Sequence, residues 1–504
     1  LYFKIFLEKI MKKLLIGASV AVVALGAAQA QAQVKLDLGG HFKGYGAYVH
    51  QDNRSGVQAI TNPPSAIDQA QVFGADNRHT DILRETEIHF TGETTLDNGL
   101  TVGFHAEADL DNSNDDTDKI IAEESYAYFS GAWGRVNFGK EDGAAFLLQV
   151  AAPSADSNVD GIRQYIQPVN YDIIANSTRV VRGNEATAYN QTLRHRSAGG
   201  VADFFAGVQT GALAAAGNTN AVNTRGIFEN SVLRSANRVD PTTNASGDLR
   251  VGVNAAGLKA DTTFGYDQAV SGYHNKLTYL TPVFAGFQAG VSYTPELEAS
   301  TRDVNGVRVD NRDGFGDAWD LAARYEGAYR EVGFAIGAGY SYADRRLNQN
   351  TATPINPAAP VIFADINANG TYDAGVDAVV AKLDDREAWN VGLDLNFGPF
   401  GLGAVYSEDD RGVSGSHFEK ETIVVGADYT YAAYKFGVSY LNQEQNFGPG
   451  DLDTDRYTAG VQYSYGPGMT FRGSVSYIDH KSNIGLVKDS ADATSVLLGT
   501  QIDF

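Results

Sequence analysis

The last ten residues, Ser495 to Phe504, constrain the chain most. Taken alternately they put Val496, Leu498, Thr500, Ile502 and Phe504 on one face, and Ser495, Leu497, Gly499, Gln501 and Asp503 on the other. A strand with one apolar and one mostly polar face, closing on an aromatic, suits a wall with lipid outside and water inside. Any half-buried strand alternates, so the weight falls on whether the rest of the chain repeats the pattern.

It does. Val34 to Val49 sets Leu36, Leu38, Phe42 and Tyr48 against Lys35, Asp37, His41, Lys43 and Tyr45. Ile82 to Thr94 sets Ile82, Thr86, Ile88 and Phe90 against Glu85, Glu87, His89 and Glu93. The turn Leu96-Asp97-Asn98-Gly99 follows, with Asn-Gly favoured where both central residues need positive φ. Leu100 to Leu110 returns with His105, Glu107 and Asp109 inward. Further arms are Glu124–Ser130, Arg135–Glu141, two within Asn275–Tyr293, Trp319–Tyr325, Val332–Tyr342, Trp389–Phe397, Phe400–Tyr406, Ile423–Tyr431, Tyr434–Tyr440, Tyr457–Tyr465 and Phe471–Tyr477. With the terminal strand this predicts sixteen. Outward positions at strand ends are repeatedly aromatic (Trp319, Trp389, Tyr431, Tyr465, Tyr477, Phe504), as girdles at two lipid interfaces require. Tight Gly/Pro turns such as Gly398-Pro399 alternate with long polar loops. A soluble sandwich explains the alternation but not the even count or the lopsided loops.

Composition agrees. Two Met and no Cys beside 55 Gly, 26 Tyr and 25 Phe favour strands and tight turns over a helical core. The missing cysteines exclude a disulfide framework and a thiol nucleophile, and fit an oxidising compartment. Met11 opens a basic start (Lys12, Lys13), an apolar run from Leu14 to Ala28, and small-x-small sites ending at Ala30 or Ala32. Residues 11–32 therefore read as a signal peptide, and residues 1–10 as an extension upstream of the start. A spanning anchor would need ~20 apolar residues. Without residues 1–32 the chain carries 35 basic and 60 acidic groups, net −25 against −22 for the whole, which argues against nucleic acid as a partner. If residues 33–504 cross a membrane they do so as a closed barrel, which satisfies every backbone group in lipid.

The stretches LDNGLTVGFHAEAD, EESYAYFSGAWGRVNFGKEDGAA with Ala152-Pro153-Ser154 after it, and NKLTYLTPVFAGFQAGVSYTPE resemble the general-diffusion porins of proteobacterial outer membranes. The resemblance implies an all-β, sixteen-stranded antiparallel transmembrane barrel, a homotrimer set in outer-membrane lipid and lipopolysaccharide, and a third external loop folded inward to narrow the pore. The departure is that loop, 143–272, about 130 residues and neutral within an acidic protein. Loops this long are functional or carry structure of their own. Thr187–Val208 and Asp248–Tyr266 alternate weakly; either they form hairpins outside the barrel, the preferred reading, or one adds two strands and makes eighteen.

A pore's chemistry is a transverse field at its constriction. Inward Lys35, Lys43, Arg135 and Arg472 are expected to face loop carboxylates such as Asp156 and Asp160, with Glu85, Glu87 and Glu107 also lining the lumen. The plainer reading is that these residues only line water. Net acidity predicts a modest cation preference. His41, His89 and His105 fall on inward positions of three successive strands, ~4.8 Å apart, so one reading is a metal or proton-sensitive site in the lumen and the simpler one is scattered pore-lining polar groups.

In the long fifth loop, 345–384, Asp365, Asn367, Asn369, Thr371 and Asp373 with Gly370 match a calcium loop. Position twelve is Val376 and Asp377 comes one residue late, so an ordinary Asp/Asn/Gly turn is the alternative. Gly333–Gly339 lies in strands, not at a dinucleotide turn, and no nucleophile elbow is present, so an enzyme is not expected and no cofactor is required. The expected function is passive diffusion of small hydrophilic solutes. A substrate-selective channel with a site built by the third loop, or a surface adhesin-like barrel, are the alternatives.

Overall fold

The computed structural model describes residues 34–51, 79–112, 121–154, 162–163, 166, 168–169, 265–297, 314–346, 361–364, 378–415, 418–446, 451–484 and 487–504. In chain order the strands are β1 (Lys35–Gln51), β2 (Thr80–Thr95), β3 (Thr101–Asn112), β4 (Ile121–Gly131), β5 (Gly134–Glu141), β6 (His274–Leu280), β7 (Phe287–Thr294), β8 (Gly314–Tyr329), β9 (Val332–Arg346), β10 (Val361–Ala364), β11 (Ala378–Leu383), β12 (Arg386–Phe397), β13 (Phe400–Asp409), β14 (Val413–Gly415), β15 (Lys420–Tyr431), β16 (Tyr434–Asn446), β17 (Asp451–Gly466), β18 (Met469–Ile484) and β19 (Val487–Asp503). One short helix, α1 (Ala144–Leu147), follows β5.

Sixteen strands close into an antiparallel barrel, and β10, β11 and β14 form a separate three-stranded sheet. The ring closes between β1 and β19 over His41↔Asp503 to Gln51↔Ala493, and Gly40 and Phe504 exchange two backbone hydrogen bonds of 3.0 and 3.1 Å. The terminal strand is therefore a seam, and the sixteen-strand expectation holds over the eighteen-strand alternative.

The alternation sorts as expected. Ile82 is 80% exposed and Leu498 66% on the outer face, whereas inward Lys43 is 1% exposed. Aromatic rings form a belt at the short-turn end, running Phe397–Phe400–Tyr429 and Tyr434–Tyr463–Tyr465–Phe471 with centroids 4.7 to 6.5 Å apart. Trp389–Tyr406 and Tyr440–Tyr457, each 5.0 Å, mark the other end. These are the two girdles.

Two local expectations change. Trp319 keeps outward parity but is 3% exposed, packed among Val291, Leu277, Tyr293 and Tyr342, so it is not a free girdle residue. The β2–β3 turn has positive φ at Gly99 alone (83°), not at Asn98. Gly99 N–H donates to Leu96 O (2.9 Å) and Leu96 N–H to Leu100 O (2.8 Å). That is a three-residue hairpin with glycine in the left-handed position.

Candidate functional site

The wall is low where the third loop begins. β5, β6 and β7 have 8, 7 and 8 residues against 16 in β2 and β8, so the chain leaves β5 part-way up the barrel. It turns inward. Ala144 and Ala145 of α1 are fully buried, and Ala144 N–H donates to Ser292 Oγ of β7 at 2.8 Å.

The outgoing arm then crosses β9, β12, β13 and β15 on a track of inward glycines. A Cβ at Gly339 would sit 3.2 Å from the Ala145 Cβ, and one at Gly392 2.7 Å from the Val150 carbonyl oxygen. One at Gly403 would sit 2.8 Å from Pro153 Cδ, and one at Gly426 would overlap the Pro153 carbonyl. Only bare backbone lets the loop lie this close to the wall. The sequence signal was available, since these glycines share the lumen-facing parity.

The returning arm runs beside the outgoing one. Gln149 Nε2 donates to Tyr266 O (2.9 Å), Gln268 N–H to Gln149 Oε1 (3.0 Å), and Ala152 N–H to Tyr266 Oη (3.1 Å). Gln268 is anchored to the wall by donating to Ala388 O (2.7 Å) and accepting from Asn390 Nδ2 (2.6 Å). Asp320, 1% exposed, accepts from Ser271 (2.5 Å) and Ser341 (2.6 Å). Further along the loop, Ile166 packs against Tyr45, Leu83 and Leu497, and Val169 against Val49, Ile478 and Ala493. The loop thus touches opposite sides of the ring. Burying Ile166 contributes about 1.5–3 kcal/mol.

Arg163 fastens the loop to its own stem. Its two terminal nitrogens each donate to Asp142 at 2.8 Å, Nε donates to Asp267 at 3.0 Å, and the guanidinium lies 4.0 Å from the Phe146 ring centroid. Burial works against its charge, but the Asp142 and Asp267 carboxylates outweigh it and hold its proton more tightly than in free arginine.

Opposite the glycine track, β2 to β5 carry an acidic wall. Glu85, Glu87, Asp109 and Glu141 are buried, and Glu107 and Glu124 partly so. Two bulges shape it: register shifts at Thr86/Glu87 against β3 and at Glu107/Ala108 against β4. The second turns Glu123 inward beside Glu124, where strict alternation would send one of them out.

Lys43 pairs with Glu85 at 3.0 Å. Arg135 is inward, 3.9 Å from the Tyr128 ring centroid, and donates to Asn137 at 2.6 Å. Arg472 is buried on β18 with Arg456 on β17, and its Nε donates to Thr470 at 3.2 Å. Lys35 is exposed and lies opposite Glu93, at the short-turn end, about 26 Å along the strand from Lys43 and away from the loop. Asp156 and Asp160, and the calcium-like residues Asp365 to Asp377, lie outside the described residues, as does most of 143–272. His41, His89 and His105 do come together, with ring centroids 6.2 and 5.9 Å apart. Alternation alone missed Glu123 and the glycine track.

A closed sixteen-strand barrel, lipid-facing outside and polar within, narrowed by an inward loop, defines a transmembrane pore. A family model described as Gram-negative porin matches residues 18–272 and 241–483. The chain belongs to that family, a class of outer-membrane channel. Solved structures of similar fold include the anion-selective porin from Comamonas acidovorans, 13% identical, covering 94% of this chain and 100% of its own, TM-score 0.47. A triple mutant of the Rhodopseudomonas blastica porin is 12% identical, covering 93% and 100%, TM-score 0.43. An uncharacterised protein of Rickettsia typhi is 26% identical over 163 residues, 29% of this chain. The match spans about a third of that relative's length, 36%.

Proposed function

We propose that the protein is a passive pore for small hydrophilic solutes that prefers cations to anions. The observation that carries this is the acidic wall of β2 to β5, where Glu87, Glu107, Glu123 and Glu124 converge at the height of the inward loop. In a narrow, water-filled constriction with low-dielectric walls, fixed charge concentrates counter-ions and sets selectivity. Arg456 and Arg472 on β17 and β18 supply the opposing sign, so the field runs across the lumen and orients dipolar solutes.

The mature protein is a homotrimer exported with cleavage after Ala30 or Ala32, and it performs no catalysis. A field of fixed charges around water needs no nucleophile or cofactor to do this work. Liposome swelling with uncharged sugars of graded size tests the diffusion reading. Swelling rates that fall smoothly with solute size support it. Saturation by one sugar points instead to a binding site built by the third loop.

A further inference from the structure

We propose that His41, Glu87, His89 and Glu107 form a binding site in the pore lumen for one borderline divalent transition cation of the zinc, nickel or copper type.

Ligand spacing carries the first part. Glu87 Oε2 lies 3.1 Å from His89 Nε2 and 3.7 Å from His41 Nδ1, and Glu107 Oε1 lies 3.2 Å from His89 Nε2. With metal–ligand bonds of about 2.0–2.2 Å, the edges of a tetrahedron are about 3.3–3.6 Å. These three contacts lie within about 0.2 Å of such edges. His89 Nε2 carries at most one proton and faces two carboxylate oxygens at nearly equal distance, so a hydrogen bond serves one well and both poorly. A cation in that position serves both.

The surrounding shell is the independent observation. A ligating histidine ordinarily offers its other nitrogen to a carboxylate that orients the ring. His41 points Nδ1 at Glu87, and its Nε2 is 3.1 Å from Glu85 Oε1, which Lys43 in turn holds through Oε2 at 3.0 Å. The neighbouring His105 has Nδ1 fixed 2.8 Å from Thr91 Oγ1 and contributes to a second triplet with Glu107 and Glu124. The β4 bulge brings Glu123 to within 4.8 Å of Glu87 and Glu107, and its Oε2 is buried without a hydrogen-bond partner. Carboxylates crowded this way repel unless a positive charge is shared among them.

The donor set chooses the ion. Calcium and magnesium take oxygen cages, whereas two imidazole nitrogens with two carboxylates suit zinc, nickel or copper. Binding stands independently of the pore reading. Its effect on current rests on that reading, because a dication at the acidic wall lowers the cation preference.

The test is calorimetric titration of zinc chloride into the full chain, stripped of metal and folded in detergent. One zinc per chain is expected, bound about 100-fold more weakly by His89→Gln and about 10-fold more weakly by Glu85→Gln, with His79→Gln unchanged and calcium chloride not competing. Should His89→Gln fail to give the strand signal of the wild type in circular dichroism, Glu107→Gln takes its place. A folded wild type that binds no zinc, zinc binding unaffected in a folded His89→Gln or Glu107→Gln variant, or displacement of the zinc by equimolar calcium would overturn the proposal. If zinc binds as stated but leaves the current untouched, the site stands and the pore reading is what fails.

Discussion

Arg163 grips Asp142 through two parallel hydrogen bonds, both 2.8 Å, although 21 residues separate them. Asp142 ends the β5 stem and Arg163 lies well along the loop, so this fork closes the outgoing arm into a ring inside the barrel. Asp142 has a side-chain exposure of 3% and Arg163 of 14%, so water screens the pair little. Removing one partner of such a pair typically costs about 3–5 kcal/mol.

Arg163→Ala should free the loop without unfolding the barrel, giving noisier single-channel current and faster protease cleavage within 143–272. Arg163→Lys should rescue it poorly, since a lysine offers one point charge in place of a planar fork stacked on Phe146. Quiet current and wild-type protease resistance in Arg163→Ala would show that the clamp does not hold the loop.

The glycine track makes a prediction of opposite sign at the wall. Gly426→Ala places a methyl against the Pro153 carbonyl, and overpacking of this kind costs about 1–3 kcal/mol. The loop should be lifted and the conductance changed. Gly466→Ala, whose Cβ would meet nothing within 4 Å, should behave as wild type. Equal conductance in the two variants would mean that the loop does not rest on β15.

Asp410, in the connection after β13, accepts hydrogen bonds from the amides of Glu387 (2.8 Å) and Gly412 (2.9 Å). Burial pushes its carboxyl up to about 6, more than those amides pull it down. Its unfolded value is about 3.9, so the folded turn binds the proton more tightly. That contribution to stability is fully present below about pH 4 and is lost as pH rises through 6. Asp410→Asn should therefore raise the unfolding temperature relative to wild type at pH 7 and not at pH 4. An equal difference at both pH values would contradict this.

The barrel was legible because alternation is a local property. Leu36, Phe42 and Ile82 meet lipid and Lys43 and Glu85 meet the lumen, each fixed by its own parity. What parity does not encode is what presses on a face from elsewhere in the chain. Trp319 reads as a girdle residue and is covered. Parity marks Gly392 and Gly426 as inward, but not that they seat residues some 240 to 270 places earlier in the chain. Glu123 joins the acidic wall through a bulge, a one-residue slip that no two-residue period anticipates. The three histidines were legible as an inward row, but their contact depended on stagger, which only the β1–β2 and β2–β3 registers fix.

The most direct test of the account is the reversal potential of the reconstituted wild-type channel in a potassium chloride gradient, repeated with Glu87→Gln, Glu107→Gln and Glu124→Gln combined. Cation preference in the wild type, falling toward neutrality in the triple variant, is the expected result. Anion preference in the wild type, or a cation preference untouched by the loss of all three carboxylates, would contradict the claim that the β2–β5 wall governs the pore.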